Sequence, residues 1–132
     1  MKDETQTWLK YANENLRSAK LLLESNLFNP CLQNIQQAVE KWLKALIVES
    51  SLKPKKTHSI NILRNTLVAS GIGIDITEDE CDLLDSLYLP SKYPIGSILP
   101  DFEPDMEICT RCMDIAERIN TSVEKYFSGT SI

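Results

Sequence analysis

Several features that would place a protein in a familiar functional class are missing from this sequence. No apolar run approaches the roughly 20 residues that span a bilayer, so no membrane association is expected. The first residues have no apolar core of the kind found in a secretion signal, which favours a cytoplasmic protein. The four glycines are too scattered to form a phosphate-cradling loop.

An excess of positive charge is also missing. The chain has 14 lysines and arginines against 19 aspartates and glutamates, for a net charge of -5. Because non-specific affinity for duplex nucleic acid comes mostly from neutralising phosphates, this balance argues against such binding. A small local basic site remains compatible with the composition.

The four cysteines are expected to be reduced, since no secretion signal precedes them. Cys109 and Cys112 have a CxxC spacing, and Cys31 and Cys81 could complete four metal ligands. However, Cys109 continues the apolar stripe of a predicted helix, and two cysteines in one helical turn lack the usual knuckle. Free cysteine is among the most buried residue types. We therefore expect core thiols, with no metal and no cofactor.

Apolar residues recur at three- and four-residue spacing through most of the chain, which is typical of amphipathic helices. The predicted helices cover residues 4–25, 30–50, 59–69, 77–89 and 104–127, and a frayed tail follows at 128–132. No alternation typical of strands is present. Short links favour antiparallel neighbours. The prediction is a single all-α domain over residues 1–132, an up-and-down bundle of four to five helices.

Capping residues and prolines define most of the predicted helix ends. The residues expected at the starts are Asp3, Asn29 followed by Pro30, Thr57 or Ser59, the capping box of Thr77 and Glu80, and Pro104. The fourth helix is expected to stop near Leu89 and Pro90. Prolines then predict an ordered but irregular loop up to Pro104, and loops of this length are often functional.

The second predicted helix carries two lines of residues at the same spacing. Its apolar stripe consists of Leu32, Ile35, Val39, Trp42 and Leu46. Its polar line consists of Gln33, Gln37, Glu40 and Lys44. A polar line on a mostly buried helix is either a solvated back face or a surface for a partner or ligand. Glu40 is expected to pair with Lys44, because residues four apart are neighbours on a helix.

A set of motifs in a fixed order gives the chain a family resemblance. The motifs are Trp8 with Ala12 and Ala19, the run from Gln36 to Leu46, Thr57-His58-Ser59-Ile60, and Tyr88 to Pro94. In these residues the chain resembles the HEPN domain family (higher eukaryotes and prokaryotes nucleotide-binding). The resemblance covers about residues 8–127. It implies an all-α up-and-down bundle that forms a homodimer.

The resemblance also implies a set of functions. Small free-standing HEPN proteins are often encoded beside a minimal nucleotidyltransferase, as a toxin–antitoxin-like pair. Some members are metal-independent ribonucleases, in which an arginine is followed four to six residues later by a histidine, and the motif acts at the dimer interface. The only histidine here is His58. Lys53 stands at the arginine spacing, Arg64 lies on the wrong side of His58, and Lys92 replaces the family's usual arginine before Tyr-Pro.

These departures favour nucleotide binding over ribonuclease activity, so the chain is expected not to be an enzyme. The predicted nucleotide-binding residues are Gln37, Lys41, Lys44, Lys92 and Tyr93. They would contact a nucleotide or RNA end if the irregular loop folds over the polar line, with Tyr93 or Trp42 stacking on a base. The alternative for the lysines, above all Lys53, Lys55 and Lys56, is a solvated surface.

His58 has two interpretations. An imidazole that titrates near neutral pH could act as a general base. Because the sequence identifies no second acid–base partner, a structural role at the start of the third helix is favoured. Two rival functions stay open. One is a degenerate ribonuclease that uses Lys53 and His58, and the other is an interaction module that neutralises or scaffolds its partner protein.

Overall fold

The computed structural model describes residues 1–92 and 103–129, with the backbone alone for residues 89–92. Its helices are α1 (Asp3–Glu24), α2 (Phe28–Glu49), α3 (Ile60–Ala69), α4 (Glu78–Lys92) and α5 (Met106–Ser128). No strand occurs within these ranges, and the predicted all-α bundle is confirmed. None of the helices in the described part of the chain combines the length and apolar composition needed to cross a membrane.

Helix α2 is the centre of the bundle and packs against each of the other four helices. Trp42 and Val39 lie in the core as the apolar stripe predicts, with 1% and 0% of their surfaces exposed. Burial of an aromatic side chain of this size is a large stabilising contribution. It also means that the expectation of Trp42 stacking on a base is wrong, because its ring is covered by protein.

Helices α1 and α2 form the most extensive pair in the bundle. Ala12 and Ala19 of α1 are fully buried, and so is Ala38 of α2. Small side chains at a helix–helix contact let the two backbones approach closely. The link between these helices contains Asn26 in the left-handed region, with φ of 59°. Asparagine adopts this conformation more readily than most residues.

The start of α1 differs from the prediction by one residue. The N-cap is Lys2, and Asp3 is already helical. Glu49 of α2 accepts hydrogen bonds from the backbone N–H of Lys2 and from the hydroxyl of Thr5, each at 3.0 Å. These hydrogen bonds hold the pKa of the Glu49 carboxyl below its ordinary value. A contact between helices therefore determines where α1 begins.

The start of α2 also differs, because the helix begins at Phe28 and the N-cap is Leu27. The prediction that Asn29 caps this helix is wrong, since Leu27 makes no side-chain capping bond and Asn29 is already helical. Pro30 consequently lies in the first turn. It is tolerated there because the first N–H groups of a helix have no acceptor within it.

The caps of α3 and α4 agree with the sequence. The Ser59 side chain accepts a hydrogen bond from the Ile62 N–H at the start of α3. Thr77 and Glu80 form the predicted reciprocal capping box, with distances of 3.1 and 3.0 Å. Helix α4 runs past Pro90 to Lys92, so its predicted end is wrong by a few residues. A proline removes one hydrogen bond of the last turn without removing the others.

Helix α5 begins at Met106 and not at Pro104. Its N-cap is Asp105, whose carboxylate accepts from the Ile108 N–H at 2.9 Å. The helix ends at Ser128, and Gly129 with φ of 69° provides the left-handed residue that ends many helices. The predicted irregular loop lies largely outside the described residues, since 93–102 are not among them, and so does most of the predicted tail.

Truncation of a core residue of α2 tests its central position. Leu46→Ala removes a side chain with 0% exposure, and we expect it to lower the free energy of unfolding by about 2–5 kcal/mol. The matched control is Leu21→Ala, whose side chain is 64% exposed and which should change stability by less than about 0.5 kcal/mol. Urea unfolding followed by circular dichroism measures both. Equal losses in the two variants would contradict the described packing.

Candidate functional site

The candidate site is built around the buried carboxylate of Glu40, which is 6% exposed. One oxygen accepts from the Lys44 ammonium at 2.7 Å, which confirms the predicted pair four residues apart on α2. The other oxygen lies 2.9 Å from Nδ1 of His58, whose side chain is 73% exposed. Because an ionised carboxylate only accepts hydrogen bonds, Nδ1 carries the proton and Nε2 is left for a ligand.

The backbone around His58 is held from two sides. The buried Gln36 side chain of α2 donates from Nε2 to the His58 carbonyl at 2.8 Å. On the other side, Asp85 of α4 accepts from the Ser59 hydroxyl and from the Ile60 N–H at 2.9 and 2.7 Å. Helices α2 and α4 therefore both fix the residue at which the loop before α3 ends. The carboxylate of Asp85 also occupies the position at the α3 N-terminus where an anion could otherwise bind.

An open pocket of about 340 Å³ lies beside the imidazole of His58. The described residues that line it are Thr57, His58, Ser59, Asp85 and Tyr88. The rings of His58 and Tyr88 have centroids 6.1 Å apart and are tilted by 37°. We call this feature the His58 pocket. It offers an aromatic surface together with one ring nitrogen that can accept or donate a hydrogen bond, according to its protonation state.

A polar cluster joins α1 to α2 through Asn15 of α1 and three side chains of α2. Lys41 donates to the side-chain oxygen of Asn15 at 2.6 Å. The amide nitrogen of Asn15 donates in turn to Gln37 at 3.3 Å and to Asn34 at 2.9 Å. All four side chains are part-buried. Because each is tied to another, they present their remaining polar atoms in a fixed arrangement.

Two lysines of α2 lie over aromatic rings of α1. The Lys41 ammonium is 5.9 Å from the centre of the Tyr11 ring, and the Lys44 ammonium is 5.6 Å from the centre of the Trp8 ring. These distances are within the range of cation–π attraction. We define the α1–α2 strip as Trp8, Tyr11, Asn15, Gln37, Lys41 and Lys44.

The structure brings together three of the five predicted nucleotide-binding residues. Gln37, Lys41 and Lys44 all belong to the α1–α2 strip, and Lys44 is linked to the His58 pocket through Glu40. Lys92 is the last residue of α4, and its side chain lies outside the described atoms. Tyr93 lies outside the described residues. A contact of these two with the polar line therefore stays a prediction.

Sequence reasoning missed the partner of His58. Helical spacing pairs Glu40 with Lys44 alone, although a carboxylate has a second oxygen that can accept another donor. Glu40 and His58 are 18 positions apart, so no helical spacing connects them. The exposed ring of Tyr11 and the half-buried ring of Tyr88 were also missed as components of a site. Lys53, in contrast, is exposed, and no contact joins it to His58 within the described part of the chain.

The cysteines lie in the core, as expected for free thiols. Cys109 and Cys112 have no exposed surface. Burial raises the pKa of the Cys81 thiol to about 11 and that of Cys112 to about 12. The contact with Cys31, reinforced by burial, raises the pKa of Cys109, and the same contact lowers that of Cys31. Among the described residues, no group of three or more His, Cys, Asp or Glu side chains could hold a metal.

Comparison with protein families gives a match over almost the whole chain. The model of the HEPN domain matches residues 5–126. A protein of Methanocaldococcus jannaschii named "Putative toxin MJ0605" is 34% identical over 56 residues. That alignment spans 42% of this chain and 42% of the relative, so less than half of either protein is compared.

Solved structures share the bundle. The crystal structure of TT1696 from Thermus thermophilus has a TM-score of 0.74 and 25% identity, covering 94% of this chain and 98% of that one. The crystal structure of ST0689, an archaeal HEPN homologue, has a TM-score of 0.70 and 24% identity, with coverages of 96% and 98%. At 24% identity, the comparison with ST0689 shows a shared fold and nothing more.

The Glu40 contact predicts the tautomer of His58. We expect the neutral imidazole to carry its proton on Nδ1, because the carboxylate fixes it there. Since the chain has one histidine, long-range ¹H–¹⁵N NMR spectra report this ring alone. In Glu40→Ala the proton should shift toward Nε2. Finding the proton on Nε2 in the unmodified protein above neutral pH would contradict the described contact.

Proposed function

The chain belongs to the HEPN domain family, and on that premise we propose that it is a non-catalytic member that binds a nucleotide or an RNA end. The observation that supports this most directly is the His58 pocket. An exposed imidazole, held by a buried carboxylate, lies next to the Tyr88 ring in an open cavity. Stacking of a base on an aromatic side chain contributes about 1–3 kcal/mol as measured by alanine substitution.

The polar groups of the pocket suit the rest of a nucleotide. Neutral His58 accepts a hydrogen bond at Nε2, which suits a ribose hydroxyl, whereas the imidazolium donates there, which suits a phosphate oxygen. The Lys44 ammonium, on the other oxygen of Glu40, supplies positive charge nearby. These contacts suit a nucleotide whose phosphate lies toward Lys44 and away from Asp85, the carboxylate that also lines the pocket.

We further propose that the protein is a cytoplasmic homodimer that acts in a toxin–antitoxin-like pair with a minimal nucleotidyltransferase. The similarity to the relative named as a toxin supports the role in such a pair. The homodimer and the nucleotidyltransferase partner are proposed from the resemblance to the family. Co-expression with a neighbouring nucleotidyltransferase, followed by size-exclusion chromatography with light scattering, tests the stoichiometry of both.

The replaced arginine supports the proposal that the protein is non-catalytic. Lys53 stands in its place, and a lysine is a point charge on a flexible stem, whereas an arginine offers a planar fork for phosphate. Arg64 donates from Nε to the carbonyl of Ile76 at 3.1 Å, which ties it to the loop before α4. The partner that the described structure gives the His58 ring is thus the carboxylate of Glu40, and Arg64 is engaged elsewhere.

Nucleotide titration tests the proposal. Isothermal titration calorimetry of the full chain with AMP and ATP should give measurable binding, and Tyr88→Ala and His58→Ala should each weaken it by about tenfold. The control is Lys10→Ala, at an exposed position of α1, which should leave binding unchanged. Absence of heat with every nucleotide, in a protein that still co-purifies with its partner, would favour an interaction module instead.

One observation favours a second candidate, a metal-independent ribonuclease. The Glu40–His58 pair has the arrangement in which a carboxylate orients an imidazole as general base and stabilises the imidazolium that forms. His58 would accept the proton of a ribose 2′-hydroxyl as that oxygen attacks the adjacent phosphorus. The bond from phosphorus to the 5′-oxygen of the next nucleotide would break, and that oxygen would take a proton from water or from the imidazolium, which leaves a 2′,3′-cyclic phosphate. This candidate replaces the predicted pair of Lys53 and His58 with Glu40 and His58.

RNA cleavage by the purified chain separates the two candidates. The ribonuclease predicts cleavage that His58→Ala abolishes and that Glu40→Gln lowers by about 10²-fold or more, whereas Lys53→Ala leaves it intact. The non-catalytic proposal predicts no cleavage by any of these proteins. Cleavage that persists in His58→Ala would identify a contaminant or another site.

A further inference from the structure

Apart from Lys44, the residues of the α1–α2 strip take no part in binding a single nucleotide at the His58 pocket, yet they form an ordered arrangement. Tyr11 is 48% exposed, so its ring is accessible to a ligand. The Trp8 ring is half-buried, and each ring has a lysine ammonium within 6 Å of its centre. Both lysines are also tied to side-chain oxygens, Lys41 to Asn15 and Lys44 to Glu40.

The strip is continuous with the His58 pocket. Lys44 and His58 share the carboxylate of Glu40, so the pocket and the strip meet at one side chain. From Gln37 to Lys44 the strip follows α2 for seven residues, which is about 10 Å at the rise of an α-helix. Glu40 lies between Gln37 and Lys44, so this length extends to both sides of the point where the pocket meets the strip. It is enough for roughly two or three stacked nucleotides, since stacked neighbours are about 3.4 Å apart.

We propose that the α1–α2 strip binds the nucleotides next to the one in the His58 pocket, so that the ligand is a single-stranded oligonucleotide. The inference rests on the proposed function and extends it. Trp8 and Tyr11 stack on bases, Lys41 and Lys44 contact phosphates, and the amides of Asn15 and Gln37 contact base edges.

The chemistry of the strip favours a single strand over a protein partner. Alternating aromatic rings and lysines are what sequence-tolerant binding of single strands requires, because every base has a π-face. Bases paired in a duplex could not reach the rings. The centre of a protein interface is also rich in tyrosine and tryptophan, but it is depleted of lysine, whereas two of the six strip residues are lysines. Because the lysines are already ordered, binding loses less side-chain entropy than it would with free lysines.

The dependence of affinity on strand length tests the inference. The full chain is titrated with 2′-O-methyl oligoadenylates of one, two, four and six residues, which lack the hydroxyl needed for cleavage. Affinity should rise by at least about tenfold from one to four residues and then level off, since the strip adds stacking positions beyond the first. The intrinsic fluorescence of Trp8 should be quenched as the strand binds, whereas the buried Trp42 should not respond.

Variants of the strip identify the cause of the length dependence. Trp8→Ala and Tyr11→Ala should each lower the affinity for the four-residue oligonucleotide by about fivefold or more, because each removes a stacking ring. The affinity for AMP should be unchanged in both variants. Trp8→Phe keeps a stacking ring, so it should retain affinity while the fluorescence change disappears. The matched control is Tyr126→Ala, an exposed tyrosine of α5, which should behave as the unmodified protein.

Three results would overturn the inference. If AMP binds and longer strands bind no better, the strip takes no nucleotides and the proposed function stands. If neither AMP nor any oligonucleotide binds, the proposed function and this inference are both wrong. If Tyr11→Ala changes the mass measured by light scattering and leaves oligonucleotide affinity unchanged, the strip is an interface between protein chains.

Discussion

The site depends on a buried carboxylate that is shared by a lysine and a histidine. Glu40 lies on the central helix, and burying an unpaired charge there would cost several kcal/mol. Lys44 from the same helix offsets part of this cost, and His58 takes the second oxygen. The need to satisfy one carboxylate thus holds the loop before α3 against α2 and leaves an imidazole exposed at a fixed position.

One helix can supply both the core and the site because of its periodicity. An α-helix has 3.6 residues per turn, so residues at three- and four-residue spacing share a face. The apolar stripe of α2 faces the other helices. The line that contains Gln37, Lys41 and Lys44 lies on another face, between α1 and the start of α3. The side chains of this line are therefore held in fixed positions, because the residues on the opposite face of α2 are among the most buried of the described residues. Sites built on helices keep their geometry better than sites built on loops alone.

The fold could be predicted largely from local patterns. Apolar spacing located the helices, and Ser59 and the Thr77–Glu80 box marked two starts correctly, because capping is a local interaction. The starts of α1 and α2 were predicted less well. Their first residues respond to contacts such as that of Lys2 with Glu49, which joins residues 47 positions apart.

The candidate site was less predictable for the same physical reason. The lysines of α2 could be chosen from their shared face, but their partners Asn15, Trp8 and Tyr11 lie on another helix. The pairing of Glu40 with His58 is also a tertiary contact, and no spacing in the sequence indicates it. In contrast, the absence of the arginine expected of ribonuclease members can be seen from the sequence alone.

Whether a nucleotide binds where His58 and Tyr88 meet can be measured directly by NMR. In ¹H–¹⁵N spectra of the full chain titrated with AMP, we expect the largest shift changes at Thr57, Ser59 and Tyr88, with smaller ones along α2 from Gln37 to Lys44. Changes confined to a distant surface, such as the groove lined by Asp75, Arg118 and Ser122, would contradict a nucleotide site at His58.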